Sequence, residues 1–301
     1  MIDYGEDQFR DLCRGRVGEE IGGLAQKRAS ALRQFWLVLL VGLLLSGLAA
    51  WWMIAAGQLI VGVVGASVLV MATMGFAAWP LGRVGADLKL PFLEALAAKG
   101  GMTYAAHGFE PPVYAGAKDV LFGSWLTTQT FTDLFQGTGA DGRRFAIYEA
   151  TLSRQSGKSI NIVFSGQIYA YQRRARSAGQ IVVVPDRGIF NFSKPQRGME
   201  RVAFQGDPAF EKKFEVYATE PSAAQLRLGT EARRKFLEWR LGGKVLAYIG
   251  PEDVLVAITG KNRFEVGSMF RAKPGQERVR MMFDEVRASP ATLRSVKAAL
   301  D

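Results

Sequence analysis

The sequence has one cysteine and one histidine among its 301 residues, Cys13 and His107. A lone cysteine cannot form a disulfide within the chain, which is typical of proteins in a reducing compartment. It also excludes a Cys-x-x-Cys zinc site, and a lone histidine excludes the His-Glu-x-x-His motif of metalloproteases. A catalytic triad would need His107, which precedes Gly108 in a predicted turn, and no serine lies in a nucleophile elbow. We therefore predict no catalytic residue and no metal site.

A phosphate-binding loop is also missing, although Ser156-Gly157-Lys158-Ser159 matches part of one. The G-x-x-x-x-G-K-[ST] pattern requires glycine where this chain has Leu152, and a helix must follow the lysine to hold the phosphate. Residues 160–164 instead have the composition of a strand. The four residues are therefore predicted to form a hairpin turn, and no cofactor is predicted.

Charge is absent from a long internal stretch: residues 35–82 contain no Asp, Glu, Lys, Arg or His. A helix needs about 20 apolar residues to cross roughly 30 Å of hydrocarbon at about 1.5 Å per residue. Residues 35–56 and 59–79 each reach that length, with a tight turn at Gly57-Gln58. We predict a transmembrane helical hairpin, because the helices of a buried hairpin in a soluble protein rarely run this long without a charge. A cleaved signal peptide fits less well, because 34 residues precede the run.

Basic residues flank the hairpin at its two outer ends and are missing from its turn. Three precede the first span and two follow the second: Lys27, Arg28, Arg33, Arg83 and Lys89. Tryptophans, which favour the membrane interfaces, lie at both levels: Trp36 and Trp79 at the outer ends, Trp51 and Trp52 near the turn. Because basic residues near span ends stay on the cytoplasmic side, both termini are predicted to be cytoplasmic.

The formal net charge is +10 and the sequence pI is about 9.8. Six basic and six acidic residues balance before residue 35, so the surplus lies after residue 82. A basic domain beside a membrane faces anionic headgroups, and nucleic acid is the other usual partner of a basic surface. We predict that the densest basic group, Arg173, Arg174 and Arg176, contacts headgroups or an acidic partner such as another membrane protein. A solvated basic turn is the alternative, and nucleic acid is the less favoured partner.

After the hairpin, the apolar pattern changes to the alternation typical of strands. It predicts an antiparallel meander over 128–136, 144–154, 159–173 and 180–184. Further strands are predicted at 102–106, 200–203, 214–219, 245–249 and 254–259. Helices are predicted at 90–98, from 111 to about 122, from 221, at 230–241 with Thr230 as N-cap, and at 276–300 with a break near Ser289-Pro290.

These elements predict the α+β class with three regions. Residues 1–34 form a partly helical cytoplasmic arm, and residues 35–82 form the transmembrane hairpin with spans at 35–56 and 59–79. Residues 83–301 form a cytoplasmic domain with a mainly antiparallel sheet and flanking helices. Most connections are short and rich in glycine, as expected of a compact domain.

The region after the hairpin contains six short segments that follow one another in a recognisable order: 132–137, Glu149, 163–166, 207–217, 254–258 and 264–265. Together with the paired apolar spans before them, they resemble the bacterial membrane proteins grouped as domain of unknown function 3137, DUF3137. The likeness covers roughly residues 90–269, and the order of the segments is more specific than any one of them. The resemblance implies this architecture and a bacterial inner-membrane location, and it transfers no catalytic residues.

Two functions follow from these features. The favoured hypothesis is a non-enzymatic anchor or interaction module at the inner membrane, because the sequence has no nucleophile, metal or phosphate motif. The alternative is a membrane-tethered enzyme whose site is assembled from scattered carboxylates and arginines. A deep polar cleft in which such side chains converge would favour the alternative.

Overall fold

A computed structural model describes residues 5–14, 16–174, 176, 179–186, 198–264, 270, 273 and 275–301. They fall into two compact units. The sheet unit holds Leu96–Phe264 and Glu285–Asp301, and the helical unit holds the described residues of Tyr4–Ala95 and Glu265–Asp284. Glu265 of the family pattern lies outside the described residues.

The helical unit is built on α1 (Glu6–Arg14), α2 (Arg16–Ala55) and most of α3 (Leu59–Lys99). A tight turn joins α2 to α3, as predicted: the backbone N–H of Gly57 donates to the carbonyl of Ile54, and that of Gln58 to Met53, both at 2.9 Å. Gly57 has a φ of 77°, the left-handed conformation with which helices commonly end and that glycine adopts most easily. The hairpin predicted from the uncharged stretch is therefore present.

The second long helix does not stop where the sequence suggested. Residues 90–98 are helical as predicted, but they continue α3 without a break through Pro80 and Pro91. A proline inside a helix costs about 3 kcal/mol. Phe92 and Leu93 directly after Pro91 are fully buried, and burial of two such side chains is worth about 3–6 kcal/mol, which offsets one proline.

Many apolar side chains of the hairpin formed by α2 and α3 are exposed. Both helices are long and apolar enough to cross a membrane. Leu48 is 65%, Trp51 76% and Ile60 78% exposed. The two helices approach closely at Gly42, where an added Cβ would lie 2.1 Å from Cγ2 of Thr73.

The sheet unit contains nine strands among its described residues, and every pairing is antiparallel. They are β1 (Met102–Ala105), β2 (Thr128–Thr138), β3 (Arg144–Ser156), β4 (Ser159–Gln172), β5 (Ile181–Pro185), β6 (Glu200–Val202), β7 (Phe214–Ala218), β8 (Val245–Ile249) and β9 (Asp253–Thr259). Their order is β1-β2-β3-β4-β9-β8-β5-β7-β6. The predicted meander therefore ends at β4, because β9 pairs with β4 and the predicted fourth strand, β5, pairs with β8 and β7 instead. The α+β class is confirmed, and so is the hairpin turn between Ser156 and Ser159.

Five further helices are described: α4 (Tyr114–Leu121), α5 (Pro208–Glu211), α6 (Pro221–Arg227), α7 (Thr230–Arg240) and α8 (Gly275–Leu300). Helix α4 packs on a core that includes Tyr148 and Ile168 of the sheet. Side chains alternate along a strand, so Tyr169 and Tyr171 of β4 lie on the other face, where the Lys297 ammonium of α8 lies 5.7 Å from the centroid of the Tyr171 ring. The residues of α8 from 285 onwards therefore lie against the sheet face opposite α4.

Two helix predictions need correction. Helix α8 runs through Ser289-Pro290 without the predicted break, because the buried side chains of Val286, Leu293 and Val296 hold both sides of the proline in place. Helix α7 begins at Thr230 as predicted, but its N-cap is Gly229, with no side-chain hydrogen bond to the cap.

Candidate functional site

Two acidic residues of the family pattern, Asp133 and Glu149, are buried within the sheet unit. Asp133 has a φ of 56° at the point where the register between β2 and β3 shifts, and its carboxylate accepts a hydrogen bond from the Tyr104 hydroxyl at 2.6 Å. Glu149 is 2% exposed and accepts from the backbone N–H of Arg263 at 2.6 Å. Buried carboxylates with such donors hold segments of a fold together. Both residues therefore have a structural explanation for their place in the pattern.

Gly166 has a structural explanation of the same kind. Its Cα lies so close to β9 that an added Cβ would be 2.2 Å from the carbonyl oxygen of Ile258 and 2.8 Å from Cα of Thr259. Glycine in a strand often marks a point where another backbone approaches closely. This glycine lets β4 and β9 pair at the junction between the N-terminal meander and the rest of the sheet.

Asp207 stabilises the start of α5. Its side chain accepts from the backbone N–H of Phe210 at 3.1 Å and forms an ion pair with Arg233 at 2.8 Å. The hydrogen bond from Arg233 and the bond from the Phe210 N–H hold the pKa of Asp207 below its usual value. Because the carboxyl has a lower pKa in the folded protein than in the unfolded chain, where it is about 3.9, its ionised form stabilises the fold. This stabilisation is complete well above pH 3.9 and is lost as the pH falls through the pKa of the folded state.

We therefore expect Asp207→Asn to lower the stability of the protein at pH 7 by about 1 kcal/mol, because asparagine keeps the cap but loses the charge. The difference from wild type should shrink as the pH falls below about 4. Thermal unfolding followed by tryptophan fluorescence between pH 7 and pH 3.5 measures it. Glu110→Gln, at an exposed carboxylate, is the control and should match wild type at pH 7. A loss of equal size at both ends of the pH range would contradict this account.

The three arginines predicted to contact headgroups do not share one environment. Arg173 is 6% exposed, and its Nη1 donates to the carbonyl of Gly250 at 2.8 Å. Arg174 is exposed, and Arg176 is exposed and forms an ion pair with Glu252 at 2.9 Å. Arg173 therefore fixes the end of β4 to the β8–β9 turn, and two arginines remain accessible beside it.

A cleft of about 290 Å³ lies near these arginines at one end of the sheet, where Gln136, Arg144, Gln172 and Asp253 line it. The pKa of Asp253 is raised above its usual value, because burial and the neighbouring Glu252 outweigh the opposite effect of the Arg144 guanidinium. A partly buried carboxyl beside an arginine is found both in acid–base sites and in structural pairs. Sequence reasoning missed this pair, because the predicted strand began at residue 254, whereas β9 begins at Asp253.

The cleft wall also contains strained backbone. Val113 lines it with a φ of 65°, a conformation that costs a β-branched residue about 1–3 kcal/mol. Such strain clusters at ligand sites, so this cleft is one place in the described sheet unit where the enzyme alternative would have its residues. A second cleft, of about 410 Å³, is lined by Asp141, Arg143, Lys297 and Asp301. Across the described residues, no three His, Cys, Asp or Glu side chains meet in a way that could hold a metal ion.

The helical unit contains a further concave feature between α2 and α3, which we call the interhelical crevice. Its polar part, about 710 Å³, is lined by Lys27, Ser30 and Gln34 on α2 and by Arg83 and Asp87 on α3, among others. Its apolar part, about 690 Å³, begins at the same Gln34 and is lined further by Leu37, Val38, Val41, Gly42, Leu45, Ala72, Thr73 and Phe76. The polar and apolar parts thus meet along one helix pair.

A cation–π contact lies where the two parts of the crevice meet. The Arg83 guanidinium carbon lies 4.0 Å from the centroid of the Trp79 ring, and both residues line the polar part. Sequence reasoning treated Lys27 and Arg83 as orientation signals only. The signal that could have found the crevice is their position, because Arg83 directly follows the uncharged stretch (35–82) and Lys27 lies about two helical turns before it.

Comparisons with known proteins agree with the sequence-based resemblance. Residues 162–293 match the model of a family described as "Protein of unknown function (DUF3137)", which confirms the family resemblance for that segment. No curated protein matches the chain. The crystal structure of the mycobacterial trehalose monomycolate transport factor A, TtfA, is similar at 14% identity and a TM-score of 0.36, over 67% of this chain and 96% of that one.

Proposed function

We propose that this protein, whose residues 162–293 match the DUF3137 family, is a non-enzymatic anchor or interaction module of the bacterial inner membrane. Residues 35–56 and 59–79 are its two spans, and the arm (1–34) and the α+β region (83–301) face the cytoplasm. The observation that carries the proposal is the outward-facing apolar surface of α2 and α3.

That surface has no suitable solvent except lipid. Soluble monomers rarely expose contiguous apolar patches above a few hundred Å², and a single exposed Leu or Trp in water forgoes about 25 cal/mol for each Å² that could be buried. Many large apolar side chains along both helices are at least 43% exposed, among them Trp36, Leu40, Leu44, Leu48, Ile54, Ile60, Val64, Val68, Met71 and Phe76. Insertion into a bilayer removes this whole surface from water.

The orientation follows from the charges at the hairpin ends, which favour a cytoplasmic position for the ends that carry Lys27 and Arg83. Single cysteines introduced at Gln58 and at Arg174 of a Cys13→Ser chain test it. A membrane-impermeant maleimide should label Gln58→Cys from the periplasmic side, and Arg174→Cys only in inverted vesicles. Labelling of Arg174→Cys in intact spheroplasts would overturn the orientation, and recovery of the protein in the soluble fraction would overturn the anchor.

We propose contact with anionic headgroups or an acidic partner for Arg174 and Arg176 alone, since Arg173 is buried. Each accessible arginine near an anionic leaflet is worth about 1 kcal/mol, and salt screens this over about 8 Å. Gln172→Cys in a Cys13→Ser chain leaves both arginines in place, and its reaction with maleimide in reconstituted vesicles should be slower when the vesicles contain anionic lipid. An equal rate in neutral and anionic vesicles would refute headgroup contact.

A further inference from the structure

We propose that the interhelical crevice binds one anionic phospholipid of the cytoplasmic leaflet, with its acyl chain in the apolar part and its phosphate at Lys27 and Arg83. The inference rests on the proposed membrane anchor and assigns a ligand to it. The lining of the crevice changes from apolar to polar along a single pair of helices. A phospholipid likewise has an apolar acyl chain joined to a polar headgroup.

The length of the apolar part fits one acyl chain. On α2 it runs from Gln34 to Leu45, which at about 1.5 Å per residue is roughly 16 Å. One leaflet contributes half of the hydrocarbon thickness, or about 15 Å. A chain lying in the crevice would therefore end near the middle of the bilayer, as the chains of the surrounding lipids do.

The close contact between the helices makes the crevice a groove with a floor. Thr73 packs against Gly42, whose missing side chain allows the approach. Leu37, Val41 and Phe76 rise beside this contact and form apolar walls. Dispersion contacts with such walls favour a chain held in the groove over one in the freely moving lipid.

The charges at the polar end select the headgroup. Lys27 and Arg83 bring two positive charges to the polar part, and Asp87 brings one negative charge. The guanidinium fork of arginine suits phosphate oxygens, and the Trp79 ring beside Arg83 holds it at the apolar boundary. The Arg83 guanidinium favours phosphatidylglycerol over phosphatidylcholine by about fivefold, the effect of one basic residue near an anionic lipid.

The test uses the full-length protein in phosphatidylcholine vesicles that contain a trace of spin-labelled phosphatidylglycerol or phosphatidylcholine, labelled near the end of the acyl chain. Electron paramagnetic resonance measures the motionally restricted fraction of each lipid, and the ratio gives their relative association with the protein. We expect a ratio of about five for wild type. A ratio of one would overturn the proposal without any variant.

Matched variants locate the selectivity. Arg83→Gln should lower the ratio toward one, whereas Arg33→Gln, which removes the same charge from an exposed residue outside the crevice, should leave it near five. Asp87→Asn should raise it several-fold, because it removes the one negative charge of the crevice. Equal effects of Arg83→Gln and Arg33→Gln would show a general surface attraction, which overturns the site.

A bulky side chain should displace the acyl chain. Ala72→Phe, in the apolar part, should remove one motionally restricted lipid per chain, and Ala78→Phe, exposed on the same helix outside the crevice, should remove none. Ala72→Cys in a Cys13→Ser chain checks for a second copy of the protein as the occupant. Rapid disulfide dimerisation in the membrane would assign the groove to that copy and overturn lipid binding.

The outcomes separate this inference from the proposed function. A protein that stays in the membrane with the expected maleimide labelling, but shows a ratio of one, retains its anchor and loses its lipid site. A protein that does not associate with the vesicles at all loses both.

Discussion

A chain with arginine in place of both Leu44 and Leu69 is expected to leave the membrane fraction almost completely. The two leucines lie near the middle of the two apolar runs and are 60% and 47% exposed. An arginine at the centre of a spanning helix costs about 2.5–3.5 kcal/mol on insertion scales. The pair therefore costs about 5–7 kcal/mol, which lowers the insertion equilibrium by roughly 10⁴-fold at 1.4 kcal/mol per tenfold.

The same substitution at two other exposed leucines is the control. Leu226 and Leu241 are 86% and 91% exposed in the sheet unit, and Leu226→Arg with Leu241→Arg should leave the protein in the membrane fraction. Carbonate extraction of membranes from cells that express each tagged variant at equal level measures the distribution. Retention of both double variants in the membrane would mean that α2 and α3 do not face lipid.

Replacing Gly166 with alanine is expected to lower the stability of the sheet unit substantially. The added methyl group would overlap the β9 backbone at Ile258 and Thr259, and two paired strands cannot shift without breaking their hydrogen bonds. Overpacking against side chains costs about 1–3 kcal/mol. Because the overlap here is with backbone, we expect the upper end of that range, about 3 kcal/mol.

Gly116→Ala provides the matched control. An added Cβ at Gly116 would meet no atom of the described residues within 4 Å, and alanine gains up to about 1 kcal/mol over glycine inside a helix such as α4. Thermal unfolding of the purified full-length variants in one detergent, followed by tryptophan fluorescence, should show a lower midpoint for Gly166→Ala and an equal or higher one for Gly116→Ala. A wild-type midpoint for Gly166→Ala would contradict the close approach of β4 and β9.

The positions of the strands could be predicted from the sequence, because each lies where polar and apolar residues alternate between glycine-rich turns. β3, for example, was predicted at 144–154 and spans Arg144–Ser156. The order of the strands could not be predicted. The pairing of β4 with β9 depends on Gly166, whose missing side chain leaves room for the backbone at Ile258. Nothing in the sequence around Gly166 indicates that Ile258 is its neighbour.

The cleft at Asp253 and the interhelical crevice were beyond prediction for a related reason. Arg144 and Asp253 are more than a hundred residues apart in sequence. The cleft between them exists because the start of β3, the end of β4 and the start of β9 lie at the same end of the sheet. In the interhelical crevice, Lys27 and Arg83 come together only because α2 and α3 form a hairpin and continue past the uncharged stretch. The continuation of α3 through two prolines is a tertiary effect that local propensity opposes.

The position of β9 in the sheet also determines how the protein is made. Strand β4 is complete when the ribosome reaches Gln172, but its partner ends at Thr259, roughly 90 residues later, or about 4–18 s at ordinary synthesis rates. Throughout that interval the long, largely apolar edge of β4 is open to other nascent chains, which is a recognised aggregation hazard. In the proposed membrane anchor, residues 35–79 emerge well before it. Co-translational insertion of the two proposed spans would hold the ribosome at the membrane during this interval and limit how many free chains the open edge can meet.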